Sequence, residues 1–153
     1  MDNEIIYGIR PIIEAIKAGV KIHRIWLLQN KKNQLFKEVE GYASKEKIEL
    51  IFTSNKKLDK LSGKIHQGAL AKIKPIDLID FENLLKKNDK KKNQIYLLLD
   101  GITDVRNFGA IFRSALATDV SGIIVPENNS ASINSDTIKA SAGAIFYIPI
   151  SKV

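Results

Sequence analysis

Cysteine is absent from these 153 residues, which removes disulfides, cysteine-ligated zinc and thiol nucleophiles from whatever chemistry the segment performs. Histidine is scarce: His23 and His66 are the two present, too few for a histidine-built metal site, and no metal is expected. No apolar run approaches the roughly 20 residues that cross a bilayer, so no membrane partner is expected. The opening MDNEIIYGIR carries acids ahead of its apolar residues and lacks the basic, apolar, small-residue order of a secretion signal. With the missing cysteines, that fits a cytoplasmic location. Phosphate-cradling GxxxxGK[ST] and dinucleotide GxGxxG loops are also absent.

What is present is a globular composition, with 44% hydrophobic and 27% charged residues. The length suits one average domain or two small ones. The net charge of +7 is unevenly spread: residues 1–93 hold 20 Lys and Arg against 12 Asp and Glu, and residues 94–153 hold 4 against 5. A basic module joined to a nearly neutral one is the pattern of a polyanion-binding part attached to something else, because phosphate contacts dominate non-specific nucleic-acid affinity. A lysine-rich solvated surface gives the same count.

Along the chain, PIIEAIKAG reads as a short helix with Pro11 in its first turn and Gly19 as its stop. HRIWLL and IELIFT read as strands, and between them NQLFKEVEGYASKEK forms an amphipathic helix with Leu35, Phe36, Val39 and Tyr42 inward. NKKLDKLSG reads as a helix capped by Asn55 and closed by Gly63, and GALAKIK as a strand ended by Pro75. Residues 1–75 are thus expected to form a three-layer α/β module with its own core and Trp26 inside it. Residues 76–93 read as a helix running into a lysine-rich connector, where Lys90, Lys91 and Lys92 either meet phosphate or simply stay solvated.

Residues 94–153 start a second unit. QIYLLLD has the continuous apolar character of a parallel strand buried on both faces. A helix (NFGAIFRSALAT), a strand (GIIVPE), a second helix (SINSDTIKASAGA) and a third strand (FYIPIS) follow. This β-α-β-α-β order builds an open parallel sheet with ligands beyond the carboxyl ends of its strands, where the loop DGITDVRN must lie. Asn107 reads as the cap of the following helix, Gly109 as a point of close approach, and Arg113 as a guanidinium able to reach back toward that loop. An amide and a guanidinium near a helix start suit a phosphate. The small residues SAGA at 141–144 read as close helix packing.

LDGITDVRNFGAIFRSA together with INSDTIKASAGAIFYIPI closely resembles the first part of the SpoU (TrmH-like) branch of the SPOUT RNA ribose methyltransferases. IYGIRPIIEAI and HQGALAKIKP resemble that family's RNA-substrate-binding domain, whose fold is like that of ribosomal protein L30e. The resemblance covers almost the whole chain and points most closely to enzymes that methylate a guanosine 2′-hydroxyl in 23S ribosomal RNA, with tRNA as the alternative substrate. It implies an α/β fold in which an L30e-like domain precedes the first portion of a parallel-sheet, knotted SPOUT domain. It also implies S-adenosylmethionine as cofactor and a homodimer for the complete protein. Asn107 and Arg113 match the family's first motif and would act on the ribose hydroxyl, while Tyr7, Arg10, His66, Gln67 and Arg106 would contact RNA.

Two departures are small: Val105 stands where many relatives carry proline, and ATDVSG lacks a glycine common before the second strand. A larger one is that no segment here matches the family's second and third motifs. The resemblance puts those motifs, which build the cofactor pocket, beyond Val153, so no residue up to and including Val153 is assigned to the cofactor. Residues 1–153 alone are expected to be inactive, and a non-catalytic RNA-binding module remains the alternative reading.

Overall fold

Period-two alternation sorts the first sheet's side chains onto two faces. The computed structural model describes residues 3–31, 33–87 and 93–153. Strands Glu4–Tyr7 (β1), Ile22–Leu28 (β2), Leu50–Thr53 (β3) and Ala69–Ile73 (β4) pair in the order β1-β4-β2-β3. β4 is antiparallel to β1 and β2, and β2 is parallel to β3. Ile6, Ile25, Leu27, Ala69 and Ala71 enter one buried cluster, while Tyr7, Trp26 and Leu70, the residues between or beside them, enter another. Helices Ile9–Lys17 (α1) and Gln34–Lys45 (α2) supply the first cluster with Ile12, Ile13, Phe36 and Val39. Helix Asn55–Ser62 (α3) supplies the second with Leu58. Three layers result, as the alternation predicts.

Local signals fix most of these boundaries. The Asn33 side chain accepts the Phe36 N–H at 3.0 Å and starts α2. α3 departs from expectation, since Ser54 holds the cap position and Asn55 is already helical. The Asn55 amide instead donates to the Asp59 carboxylate at 2.8 Å, one turn along the helix. Gly63 closes α3 in the left-handed region, at φ 58°.

Residues 94–153 carry strands Tyr96–Leu98 (β5), Gly122–Val125 (β6) and Ile150–Lys152 (β7), paired in parallel in the order β5-β6-β7. Helix Phe81–Lys87 (α4) precedes them and buries Leu84 beside Gly122. The backbone just ahead of α4 runs along β7, where the Ile79 N–H donates to the Ile150 carbonyl at 2.8 Å. The connector lysines Lys90, Lys91 and Lys92 lie outside the described residues. Helices Val105–Ala117 (α5) and Ser135–Ala140 (α6) follow β5 and β6.

Three expectations for this half need correction. QIYLLLD does not give a strand covered on both faces: β5 spans three residues at the sheet edge, with Ile95 55% and Leu98 64% exposed. An apolar run states what a segment is made of, whereas burial needs neighbours on both sides. FYIPIS is not a continuous strand, because Ala144–Phe146 form a 3₁₀ turn, Tyr147 reaches α1, and β7 starts only after Pro149. Asn107 does not cap α5. Asp104 holds that position and accepts the Asn107 N–H at 2.8 Å, which makes Asn107 the third helical residue.

The two sheets also share more than expected. The cluster under α1 and α2 continues through Phe108, Phe112, Ile123, Ile138 and Ile145, so residues 1–75 are not closed off around a core of their own. α6 packs against β1, the edge strand of the first sheet, and covers it. Among the described residues no helix is long and apolar enough to cross a membrane.

Candidate functional site

The loop after β5 turns at Gly101 (φ 69°) and ends at Asp104, which hands the chain to α5. Gly109 sets how closely α5 meets α6. A Cβ there would lie 2.6 Å from the Ala140 carbonyl carbon and 2.7 Å from the Ser141 nitrogen, so only glycine fits. Asn107 and Arg113 are both exposed on α5. At 3.6 residues per turn, positions seven apart share a helix face and positions six apart lie about 120° off. Arg113 therefore stands in line with Arg106, not with Asn107. Among the described residues no hydrogen bond joins the Asn107 and Arg113 side chains, and α5 alone does not bring them to one point.

Arg106 faces a cleft of about 560 Å³ that it lines with Tyr7, Asp104, Asp136 and Lys139, at the seam between α5, α6 and β1. The buried Tyr7 donates its phenol proton to Asp136 Oδ1, and Lys64 Nζ donates to Oδ2 of the same carboxylate at 3.0 Å. These two bonds hold the Asp136 carboxyl below its ordinary range, and burial followed by that carboxylate pushes the Tyr7 phenol up. Asp136 sits in the first turn of α6, where Asn134 and Thr137 form a reciprocal capping box. Lys139 Nζ donates to Gln67 Oε1 at 2.5 Å and stands 5.9 Å from the centre of the Tyr7 ring. Burial lowers its pKa. Glu4, at the start of β1, has its carboxyl raised by burial against the N–H of Ser135.

Of the RNA-contact candidates, Tyr7 and Gln67 thus meet the second half of the chain across this seam, and Arg106 lines the cleft with Tyr7. His66 is buried, with Nδ1 accepting the Gly68 N–H at 2.9 Å and Nε2 at 2.9 Å from Asp59 Oδ1. Arg10 is exposed on another cleft of about 340 Å³, which it lines with Glu14, Ser141 and Tyr147. There Tyr147 donates its phenol proton to Glu14 Oε2 at 2.7 Å, a second tie between the halves. Asp136, Lys139 and Lys64 were not singled out from sequence. The bonds that recruit them span 72 to 129 residues, and no spacing rule reaches that far.

At the carboxyl ends of β6 and β7 lies a smaller cleft of about 300 Å³, where Glu127 and Lys152 are the charged lining residues. Val153, the position past which the cofactor motifs are expected, follows β7 directly beside this cleft. Its N–H donates to the Val125 carbonyl at 2.9 Å and its carbonyl accepts the Glu127 N–H at 2.6 Å, while its side chain is half exposed. Val153 thus extends the pairing of β7 with β6 and does not line this cleft.

Comparison with known proteins gives two matches in chain order. Residues 5–78 match a family model described as RNA 2′-O ribose methyltransferase substrate binding, and residues 94–153 match the SpoU rRNA Methylase family. A Staphylococcus aureus (strain COL) protein called a TrmH family tRNA/rRNA methyltransferase is 36% identical over 154 residues, covering 100% of this chain and 62% of that protein. A Bacillus subtilis (strain 168) protein of the same description is 30% identical, covering 99% of this chain and 61% of its own length. The chain thus spans about three fifths of these relatives. Among solved structures, the fold is similar to the SpoU methyltransferase AviRb from Streptomyces viridochromogenes in complex with AdoMet (TM-score 0.77, 21% identity), covering 99% of this chain and 55% of that one. It is also similar to an AdoMet-bound rRNA methyltransferase from Sinorhizobium meliloti (TM-score 0.73, 21% identity), covering 98% and 54%. With a substrate-binding match over one sheet, a methylase match over the next and relatives aligned along the whole chain, this chain belongs to the SpoU/TrmH family.

Proposed function

We propose that these residues are the RNA-holding and ribose-presenting part of a ribose 2′-O-methyltransferase that uses S-adenosylmethionine, with a guanosine of 23S ribosomal RNA as the target. One observation carries this reading. Tyr7 of the first sheet and Arg106 of α5, the helix that also carries Asn107 and Arg113, line one cleft with Lys139, so RNA gripped by the basic first half would lie beside the motif helix of the second. RNA rather than a small ligand is favoured by the charge division between the halves and by the substrate-binding match. The relatives' description covers both tRNA and rRNA; the guanosine and the 23S target rest on the motif resemblance.

A ribose hydroxyl is a weak nucleophile, and its methylation needs in-line positioning and loss of the proton. Arg113 is a poor base, since a guanidinium stays protonated to pH values above 12. Its role in this reading is to hold a phosphate next to the reacting ribose through two parallel N–H bonds. Asn107, on a different line of α5, offers an amide oxygen to orient the hydroxyl. Arg10 and Arg106 carry flanking phosphates, and Tyr7, His66 and Gln67 shape the surface that receives them. In this reading S-adenosylmethionine is held by the segments carrying the family's second and third motifs, which the resemblance puts past Val153; the cleft at the carboxyl ends of β6 and β7 lies at the lower limit of ligand-pocket volume. A homodimer is part of the proposal for the complete protein.

The test joins residues 1–153 to the C-terminal remainder of the Staphylococcus aureus relative and supplies unmodified 23S transcript with methyl-labelled cofactor. The expected product is 2′-O-methylguanosine after nucleoside digestion. Labelled tRNA with unlabelled 23S transcript moves the target, and label on a base sinks the ribose reading. Residues 1–153 alone are expected to give no heat with S-adenosylmethionine in calorimetric titration; micromolar binding would place the cofactor site within them.

A further inference from the structure

Between α3 and β4 the loop Gly63–Gly68 is fastened from several sides. His66 bridges it to Asp59 and to the Gly68 N–H, the Lys64 N–H donates to Ser62 Oγ at 3.3 Å, and Lys31 Nζ donates to the Gln67 carbonyl at 2.9 Å. A Cβ on Gly68 would lie 3.1 Å from both Leu28 and Phe36, so the loop's far end is pressed onto the core. In the middle of this fixed loop stands Ile65, 85% exposed, the most exposed large apolar side chain among the described residues. The first sheet gains nothing from it. A lone exposed apolar side chain is ordinary on a protein surface; what marks Ile65 is that the loop presenting it is pinned from several sides and bonded to lysines.

The surroundings choose the partner. Lys64 adjoins Ile65 in sequence, while Lys31 and Lys139 are both bonded to Gln67, two residues on. Lys64 shares Asp136, but among the described residues neither Lys31 nor Lys139 has a carboxylate partner. An apolar protein patch laid on Ile65 would have to strip water from these ammonium groups without compensation, and a second copy would bring the same positive charge against them. A nucleic acid supplies anions and flat apolar faces together. In a duplex those faces are stacked on each other, so an aliphatic side chain reaches them only in loops, bulges and ends.

We propose that Ile65 is a wedge that packs on the face of an unpaired RNA base while Lys31, Lys64 and Lys139 meet the neighbouring phosphates. This rests on the RNA-holding role proposed above and adds which surface reads the RNA and that it reads unpaired nucleotides. Lys139 also lines the Arg106 cleft, so the wedge and the ribose-presenting helix lie along one basic path.

The experiment measures binding of residues 1–153 to a fluorescein-labelled RNA hairpin with 2-aminopurine in its loop, beside a fully paired RNA of the same length. Ile65→Ser should weaken hairpin binding roughly tenfold, about the value of half-burying an isoleucine, and abolish the 2-aminopurine change. Duplex binding should be untouched, and Ile65→Leu should restore the hairpin. Because Ile65 is exposed, the melting temperature of each variant checks that folding is unaffected. Equal hairpin affinity for wild type and Ile65→Ser overturns the wedge while leaving RNA holding intact. No binding by wild type to either RNA at low salt overturns the reading it rests on as well. A wild-type dimer in sedimentation that Ile65→Ser turns into monomer assigns the side chain to self-association and also overturns the wedge.

Discussion

The two sheets are built from similar material to different degrees of closure. The four-stranded sheet has helices on both faces and α6 against one edge, so its strands bury Ile6, Ile25, Leu27, Leu70 and Ile73 completely. Among the described residues β5 is one edge of the three-stranded sheet, and there Ile95 and Leu98 stand in solvent. Charge divides the other way, with the closed sheet basic and the open one nearly neutral. In the function proposed above, grip and chemistry are thus placed on different supports, the polyanion-binding surface on the more enclosed sheet and the motif helix on the more open one.

The sharpest way to break this division is Arg113→Ala, in the chimera described above. Methyl transfer should fall by at least a factor of about 100, the scale of losing one preorganised donor at a reacting centre, while RNA affinity falls far less, by the share of one phosphate contact among several. Arg113→Lys should not rescue it, because an ammonium lacks the planar fork. If turnover persists, or if turnover and affinity fall equally, the division is wrong.

Next in size is Gly109→Val, which forces atoms into the α5–α6 contact and should cost at least about 1–3 kcal/mol as an overpacked core does. Hydrogen exchange reads where that cost is felt. Amides of β5, β6 and β7 should lose protection before those of β2 and β4. Simultaneous loss across both sheets would mean that the continuous cluster through Phe108 and Ile13 makes the whole chain one cooperative unit.

A smaller effect separates two residues of one turn. Asp104→Ala removes the side-chain bond to the Asn107 N–H and should destabilise the second sheet by about 1 kcal/mol in denaturant titration. Asn107→Ala should leave stability nearly unchanged and reduce transfer. The reverse outcome would return the cap to Asn107.

The smallest effect belongs to the seam. The Asp136 carboxyl is lowered by Tyr7 and then Lys64, so its contribution is present above the ordinary carboxylate pKa and is lost as pH falls through its lower folded value. Glu4 is raised by burial and has the opposite sign, its cost being relieved on acidification. Melting temperatures of wild type and Asp136→Asn should therefore converge as pH is lowered from about 6 toward about 3, near and below ordinary carboxylate values. Parallel curves would show that the seam bonds carry no stability.

Local chemistry made much of this legible beforehand. The stop of α3 at Gly63, the Pro11 start of α1 and the inward Phe36 and Val39 of α2 depend on residues within a turn of one another, and composition alone divided the charge. The caps expected at Asn55 and Asn107 fail because two neighbouring polar residues can each fill a cap. Backbone geometry, invisible in the letters, picked Ser54 and Asp104.

Beyond that range only the tertiary structure decided. Nothing local sets Tyr7 on Asp136 or Lys139 on Gln67, since these bonds join residues 129 and 72 positions apart, nor leaves Leu98 open while Leu27 is covered, since that depends on which elements pack over each strand. A sequence sets propensity, periodicity and charge through covalent neighbours. Which side chains share a cleft follows from how two sheets pack, and that is a property of the whole folded surface.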